Sequence, residues 1–246
     1  MNCNELHVHP RDCRLSFDEP SHTYTVDGEE FDSVTTVVDS LFTPFDADYW
    51  AARKTSSPEA AAALKAQWEA KGKEARDLGT LMHARIESYY LGRPVEPEWM
   101  TDPTFRIFAH FAHNVRLCPL RTEWRIFHEE SRLAGTLDFL ALRPDRSIEI
   151  WDWKRSTKLV DPAGNAIRFS RFGEKGLHPV SHLDDVTYNH YALQVSIYRY
   201  ILEEKYGLRI AGCKLGVFHP DNASYHVLEM PYLKDDAREI IRLRTR

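Results

Sequence analysis

Apolar and polar residues alternate with a period of two between Ser147 and Trp153. Ile148, Ile150 and Asp152 fall on one side and Glu149, Trp151 and Trp153 on the other, which predicts a strand. A Leu-, Thr- and Phe-rich run, Leu133 to Leu142, predicts a second strand. Arg143-Pro144-Asp145-Arg146 between them reads as a tight turn, with proline pre-setting φ and Asp145 able to bond its own backbone. Upstream, Glu123 to His128 predicts another strand. The period changes to that of a helix over Leu78 to Leu91, where Leu78, Met82, Ile86 and Tyr89 form an apolar stripe. Asp102-Pro103 caps a further helix with Phe105, Phe108, Phe111, Ala112 and Val115 inward. Tyr188 to Tyr206 predicts a long helix that ends at Gly207, with Leu193, Ile197, Tyr200 and Ile201 facing the core. Cys213 to Phe218 and Tyr225 to Met230 read as strands. A last helix from about Leu233 carries acids early and arginines late, as its dipole favours.

The first part of the chain is less regular. Tyr24 to Phe31 predicts a hairpin around Asp27-Gly28, a pair suited to a type I′ turn. Ser33 is an N-cap for a helix through Leu41. Phe42 to Trp50 reads as an aromatic loop. Ser57-Pro58 starts an Ala-rich helix, which Gly72 is expected to break. The order helix, three strands, helix, strand predicts an α/β fold on a mixed central sheet flanked by helices. Residues 1–77 are expected to form an N-terminal hairpin and helical extension packed on a core of residues 78–246, which includes the C-terminal strand and helix.

The chain has 246 residues, a formal net charge of -5, and no apolar run near the ~20 residues that span a bilayer. That charge argues against a general basic coat. The N-terminus reads as neither a secretory signal nor a transit peptide, and no membrane partner is expected. Four scattered cysteines without a CxxC pair suit an intracellular, reducing compartment.

Chemistry concentrates in the central hairpin. The alternation places Asp152 and Lys154 on one face, with Asp138 on the neighbouring strand. Two carboxylates and a lysine can bind a hard divalent cation and act on a phosphate. The same three residues can equally be solvated charges on a hairpin. Between Lys154 and Gly176, Lys154, Arg155, Lys158, Arg168, Arg171 and Lys175 face only Asp161 and Glu174, with Phe169 and Phe172 interleaved. This is either an ordinary surface loop or one that tracks phosphates and stacks bases. His83 and Glu87 lie one turn apart, as do Gln194 and Tyr198.

Taken together, these pieces resemble the PD-(D/E)XK nucleases of the RecB-like branch, over about Leu78 to Phe218. The matching segments are GTLMH with His83, GTLD with Asp138, DWK with Asp152 and Lys154, and a Q-x-x-x-Y pair, Gln194 and Tyr198. With the SVT segment at Ser33 to Thr35, the chain looks closest to the mitochondrial genome maintenance exonuclease family and its phage and viral relatives. The resemblance implies a restriction-endonuclease-like core and hydrolysis of DNA, as an exonuclease on single strands or free ends, alongside replication, repair or recombination proteins. It implies that Asp138, Asp152 and the Trp153 carbonyl bind Mg²⁺ or Mn²⁺, with His83 as a further ligand or beside one. Lys154 would position or activate water. Gln194 and Tyr198 would brace the site or orient DNA, and Arg155, Lys158, Arg168 and Arg171 would contact it. Glu123 sits where some relatives carry an additional acid. The iron–sulfur cluster of some relatives is not expected, since the cysteines are not clustered. A non-cleaving DNA-binding or scaffold protein and a structure-specific endonuclease are the alternatives on the same core.

Overall fold

The structure is a computed structural model, and residues 2–245 are described. A short helix, α1 (Cys3–Leu6), precedes three strands, β1 (Leu15–Asp18), β2 (Thr23–Val26) and β3 (Glu29–Ser33). Helices α2 (Val34–Ser40), α3 (Ala47–Lys54), α4 (Pro58–Tyr90) and α5 (Pro103–Asn114) follow. Then come β4 (Pro119–His128), β5 (Leu133–Leu142), β6 (Ile148–Lys154), α6 (Thr187–Lys205), β7 (Ile210–Val217), β8 (His226–Met230) and α7 (Lys234–Arg244). No helix among the described residues is long and apolar enough to cross a membrane.

The strands form one mixed, eight-stranded sheet in the order β1-β2-β3-β5-β6-β7-β8, with β4 paired to β5. One edge of β5 is taken by β4 along its length. The other edge is divided: β3 pairs in parallel with Leu133 and Ala134, and β6 pairs antiparallel from Phe139 to Leu142. Gly135 to Asp138 is left between them without a strand neighbour on that edge.

Helices cover both faces, so the central strands are buried on both sides and read as nearly continuous apolar runs. On one face Ile148, Ile150 and Leu215 pack with Leu193, Ile197 and Ile201 of α6 and Ile240 of α7. On the other, Phe139, Trp151, Trp153 and Phe218 pack with Met82 and Ile86 of α4 and with Phe105, Phe108 and Phe111 of α5.

The predicted hairpin is present, with Asp27 and Gly28 both at positive φ (50° and 88°). Ser33 caps α2 by accepting from the Thr36 N–H at 3.0 Å. Two expectations need correction. The chain does not stay a loop to Trp50, because Asp46 accepts the Tyr49 N–H at 2.9 Å and starts α3. Gly72 does not end a helix: α4 runs unbroken for 33 residues, since one glycine costs only ~1 kcal/mol among strong helix formers. The boundary between residues 77 and 78 therefore falls inside a helix. β1 to β3 of the N-terminal part continue the central sheet through the pairing of β3 with β5.

Trp153 and Phe218 close over Gly216. A Cβ at that position would lie 2.8 Å from the Trp153 ring and 2.9 Å from Phe218. Gly216→Ala should therefore destabilise the protein by about 1–3 kcal/mol through overpacking, measured as a lowered denaturation midpoint with an unchanged slope. An unchanged midpoint would show that the two rings give way freely.

Candidate metal centre

The site begins where β5 and β6 part. Their last register pair is Phe139 with Trp151, so Asp138 and Asp152 come next. The ladder does not continue there. The Asp138 carboxylate instead accepts the Trp153 N–H at 2.7 Å. In a strand, a residue's N–H and C=O point to the same edge. The Trp153 carbonyl therefore faces Asp138 as well, while the Lys154 carbonyl accepts from Phe218 on the β7 side at 2.8 Å.

From β4, Glu123 falls opposite Asp138, between the pairs Thr122–Phe139 and Trp124–Leu137. Its φ is +45°, a left-handed conformation that costs a non-glycine residue on the order of 1–3 kcal/mol. Close to this point Leu137 packs in the α6 layer and Phe139 in the α5 layer, so the period of two is interrupted at Asp138. From α4, His83 Nδ1 lies 3.5 Å from Asp138 and 3.9 Å from Glu123. Suitable donor atoms of His83, Glu123 and Asp138 all lie within 4.8 Å of one another.

Asp152 stands beside this group, almost fully buried, with its carboxylate turned to Lys154 Nζ at 2.7 Å. Gln194 Nε2 donates to its other oxygen at 3.3 Å. The Tyr191 ring centre lies 4.3 Å from Lys154 Nζ. Tyr198 lies over Gly135: a Cβ there would be 2.5 Å from the ring and 2.8 Å from its hydroxyl. The glycine of GTLD is thus required by the tyrosine of Q-x-x-x-Y. Gln194 and Tyr198 are both buried.

Three acids share this pocket with His83 and Lys154, and the charges do not balance. Burial pushes Asp152 up to about 6 despite Lys154. Burial likewise pushes Glu123 up to about 7, although contact with His83 opposes the rise. Burial alone would disfavour the His83 imidazolium, yet the charge of Asp138 and contacts with Asp138 and Glu123 outweigh it and raise His83 to about 10. Asp138 is also buried, but His83 and Lys154 hold it below the usual carboxylate range. The imidazolium thus stands electrostatically where a cation would. A donor set of imidazole, carboxylates and a carbonyl fits Mg²⁺ or Mn²⁺, and the imidazole favours Mn²⁺. His83, Glu123, Asp138 and the Trp153 carbonyl could hold such an ion.

The basic segment is not gathered at this point. Arg155 donates to Thr104 Oγ1 at 3.2 Å, tying β6 to α5. Lys158 is exposed. The Arg168 guanidinium lies 5.2 Å from the Tyr188 ring centre and lines a different cavity with Phe169 and His182. Arg171 is exposed, as are Phe169 and Phe172. Tyr191 escaped the sequence reading, although its place three residues before Gln194 puts it on the same face of α6.

No known protein-family model matches the chain, and no curated protein matches it. Among solved structures, one described as the crystal structure of SSO0001 aligns with 86% of this chain and 72% of that chain, at 15% identity and a TM-score of 0.38. A similarity of that degree carries no functional argument.

Binding of a cation to His83 requires the neutral imidazole and so must release its proton. Mn²⁺ affinity should therefore rise with pH, by about tenfold per unit between pH 8 and 9, where Glu123 is already ionised and His83 is still protonated in the free protein. Titration calorimetry in two buffers of different ionisation enthalpy reads the released proton directly. Binding without proton release would remove His83 from the ligand set.

Proposed function

We propose that the chain is a metal-dependent deoxyribonuclease on a PD-(D/E)XK core, acting as an exonuclease on single-stranded DNA or DNA ends in replication, repair or recombination. The observation that carries this reading is the buried junction of two sets of groups. His83, Glu123 and Asp138 converge within 4.8 Å, and the Lys154–Asp152 pair at 2.7 Å lies on the adjoining strand. A structural ion pair would need neither the imidazole nor two further acids beside it.

A bound divalent cation would neutralise charge on the phosphate oxygens. The chain's own residues do the rest. Asp138 is fixed by the Trp153 N–H and cannot swing away. Gln194 fixes Asp152. Lys154 is held by Asp152 and stays cationic, because the Asp152 charge outweighs the cost of its burial. It can therefore orient a water toward phosphorus or offset charge that develops on the phosphate.

The course of the chain supports the preference for ends. Phe42 stacks on His190 with ring centres 3.7 Å apart. His190 lines a cavity of about 340 Å³ together with Lys154 and Asp39. From there the chain forms α3 and the first half of α4, and comes back to the site at His83. Phe45, just before α3, packs against Trp68 of α4 with ring centres 5.4 Å apart, and a Lys65–Asp48 ion pair joins the two helices. The two feet of this helical arm thus stand on either side of the site. A flexible strand that entered by an end would pass beneath such an arm more readily than a stiff duplex.

Asp138→Asn and Asp152→Asn should each lower cleavage of end-labelled DNA in Mg²⁺ or Mn²⁺ by about 100-fold or more, and EDTA should abolish it. Lys154→Ala should lose cleavage and keep Mn²⁺ binding. Undiminished cleavage by Asp152→Asn would refute the assignment. Linear single-stranded DNA should be degraded under conditions in which the covalently closed circular form resists. Equal digestion of the two forms would replace the exonuclease with an endonuclease that has an open groove.

A further inference from the structure

On the His83 side of the site, β1, β2, β4 and α4 enclose a cavity of about 620 Å³, within the size range of small-molecule sites. His83 and Glu123 belong both to this cavity and to the group that could hold a metal. Whatever fills the cavity therefore abuts the group that could hold a metal. Besides Glu123, Glu19 and Glu87 also line the cavity, and the β1–β2 wall carries three rings. Phe17 meets His22 edge-on with ring centres 5.0 Å apart, and lies 4.5 Å from Tyr24. Tyr24 is buried and fixed by a 2.9 Å hydrogen bond between its hydroxyl and Thr136 Oγ1, two residues before Asp138. Phe17 is half-buried and His22 is exposed, so both still offer ring surface. His22 holds a φ of +54° at the end of the β1–β2 turn, where its N–H donates to the Glu19 carbonyl at 3.2 Å.

The cavity also holds a cation free to act. The Arg125 guanidinium lies 5.3 Å from the Phe17 ring centre, is exposed, and has no carboxylate within ion-pair distance among the described residues. Arg14 nearby, by contrast, is paired with Asp27 and Glu129. Aromatic faces beside an unpaired arginine suit an unpaired base and its phosphate, and this combination does not depend on base identity.

We propose that this cavity is a nucleobase subsite of the cleavage centre. It takes the unpaired base of the nucleotide next to the scissile phosphate, with Phe17 stacking on the base, His22, set at 84° to Phe17, meeting the edge of the base, and Arg125 holding the flanking phosphate. This rests on the deoxyribonuclease reading and adds a reason for its strand preference: a base in a duplex is already stacked and paired, and its ring faces are not available to Phe17.

The test uses the full chain with Mn²⁺ and single-stranded oligonucleotides that carry one abasic residue at successive positions near the cleaved bond. Phe17→Leu, which keeps the apolar volume, and His22→Ala should each raise KM about tenfold with little change in kcat. In the wild type, an abasic residue at one position should raise KM by a similar factor. In the Phe17→Leu protein that same abasic residue should cost nothing more, since the stacking partner is already gone. Equal thermal midpoints for the variants and the wild type separate stacking from unfolding. If the wild type cleaves single strands but the variant and abasic effects multiply in full, or KM does not move, the subsite is wrong while the nuclease reading stands. A wild type that neither cleaves nor binds single-stranded DNA overturns both.

Discussion

The hydrogen bond from the Trp153 N–H to the Asp138 carboxylate sets the geometry on which the rest of the site depends. It replaces a rung of the β5–β6 ladder with a side chain, and so lets two buried strands separate without leaving an unpaired donor. The separation is possible because the same edge of β5 is already shared between β3 and β6. Gly135, Asp138, the Trp153 carbonyl and the Tyr198 ring all meet in the opening that results. A continuous strand along that edge would have filled it.

The opening holds more negative charge than its neighbours can balance. Burial lifts Glu123 and Asp152, and His83 stays protonated among them. Backbone strain at Glu123 adds to this cost. A sheet built for stability alone would place apolar side chains here, since replacing buried ion pairs with apolar residues is often neutral or stabilising. The aromatic layer of Trp151, Trp153, Phe111 and Phe218 beneath supplies the rigid packing that holds the charges in place. Departures from local rules gather at one point, as is expected of a functional site.

Much of the centre was legible because it is local. The period of two over Ser147 to Trp153 placed Asp152 and Lys154 on one face, and the helix ending at Gly207 carried Gln194 and Tyr198. What escaped depends on long-range pairing or on backbone conformation. Nothing between Tyr24 and Ser33 announces that β3 will pair with a strand that starts 100 residues later. Glu123 sits in an ordinary-looking strand sequence, and its left-handed φ has no signature when glycine or asparagine is absent. Tyr191 lies in a helix buried over much of its surface, where an apolar stripe no longer distinguishes inside from outside. The charge of the segment from Lys154 to Gly176 was readable, but not where its side chains would lie. Arg155 went to Thr104, and Arg168 went to Tyr188.

The unbroken run of α4 ties two distant parts of the molecule together in rotation. Trp68, which seats α3, and Ile86, which seats the helix on the sheet, are five full turns apart at 3.6 residues per turn and so lie on one side of the rod. His83 lies within the same turn as Ile86. Inserting or deleting one residue between Trp68 and His83 would swing the whole arm by about 100° around the helix axis relative to the acids. Chain length in this stretch is therefore constrained by phase rather than by distance. Natural variation there should come in steps of about seven or eleven residues, which restore the facing, whereas the loops on either side are free to vary one residue at a time.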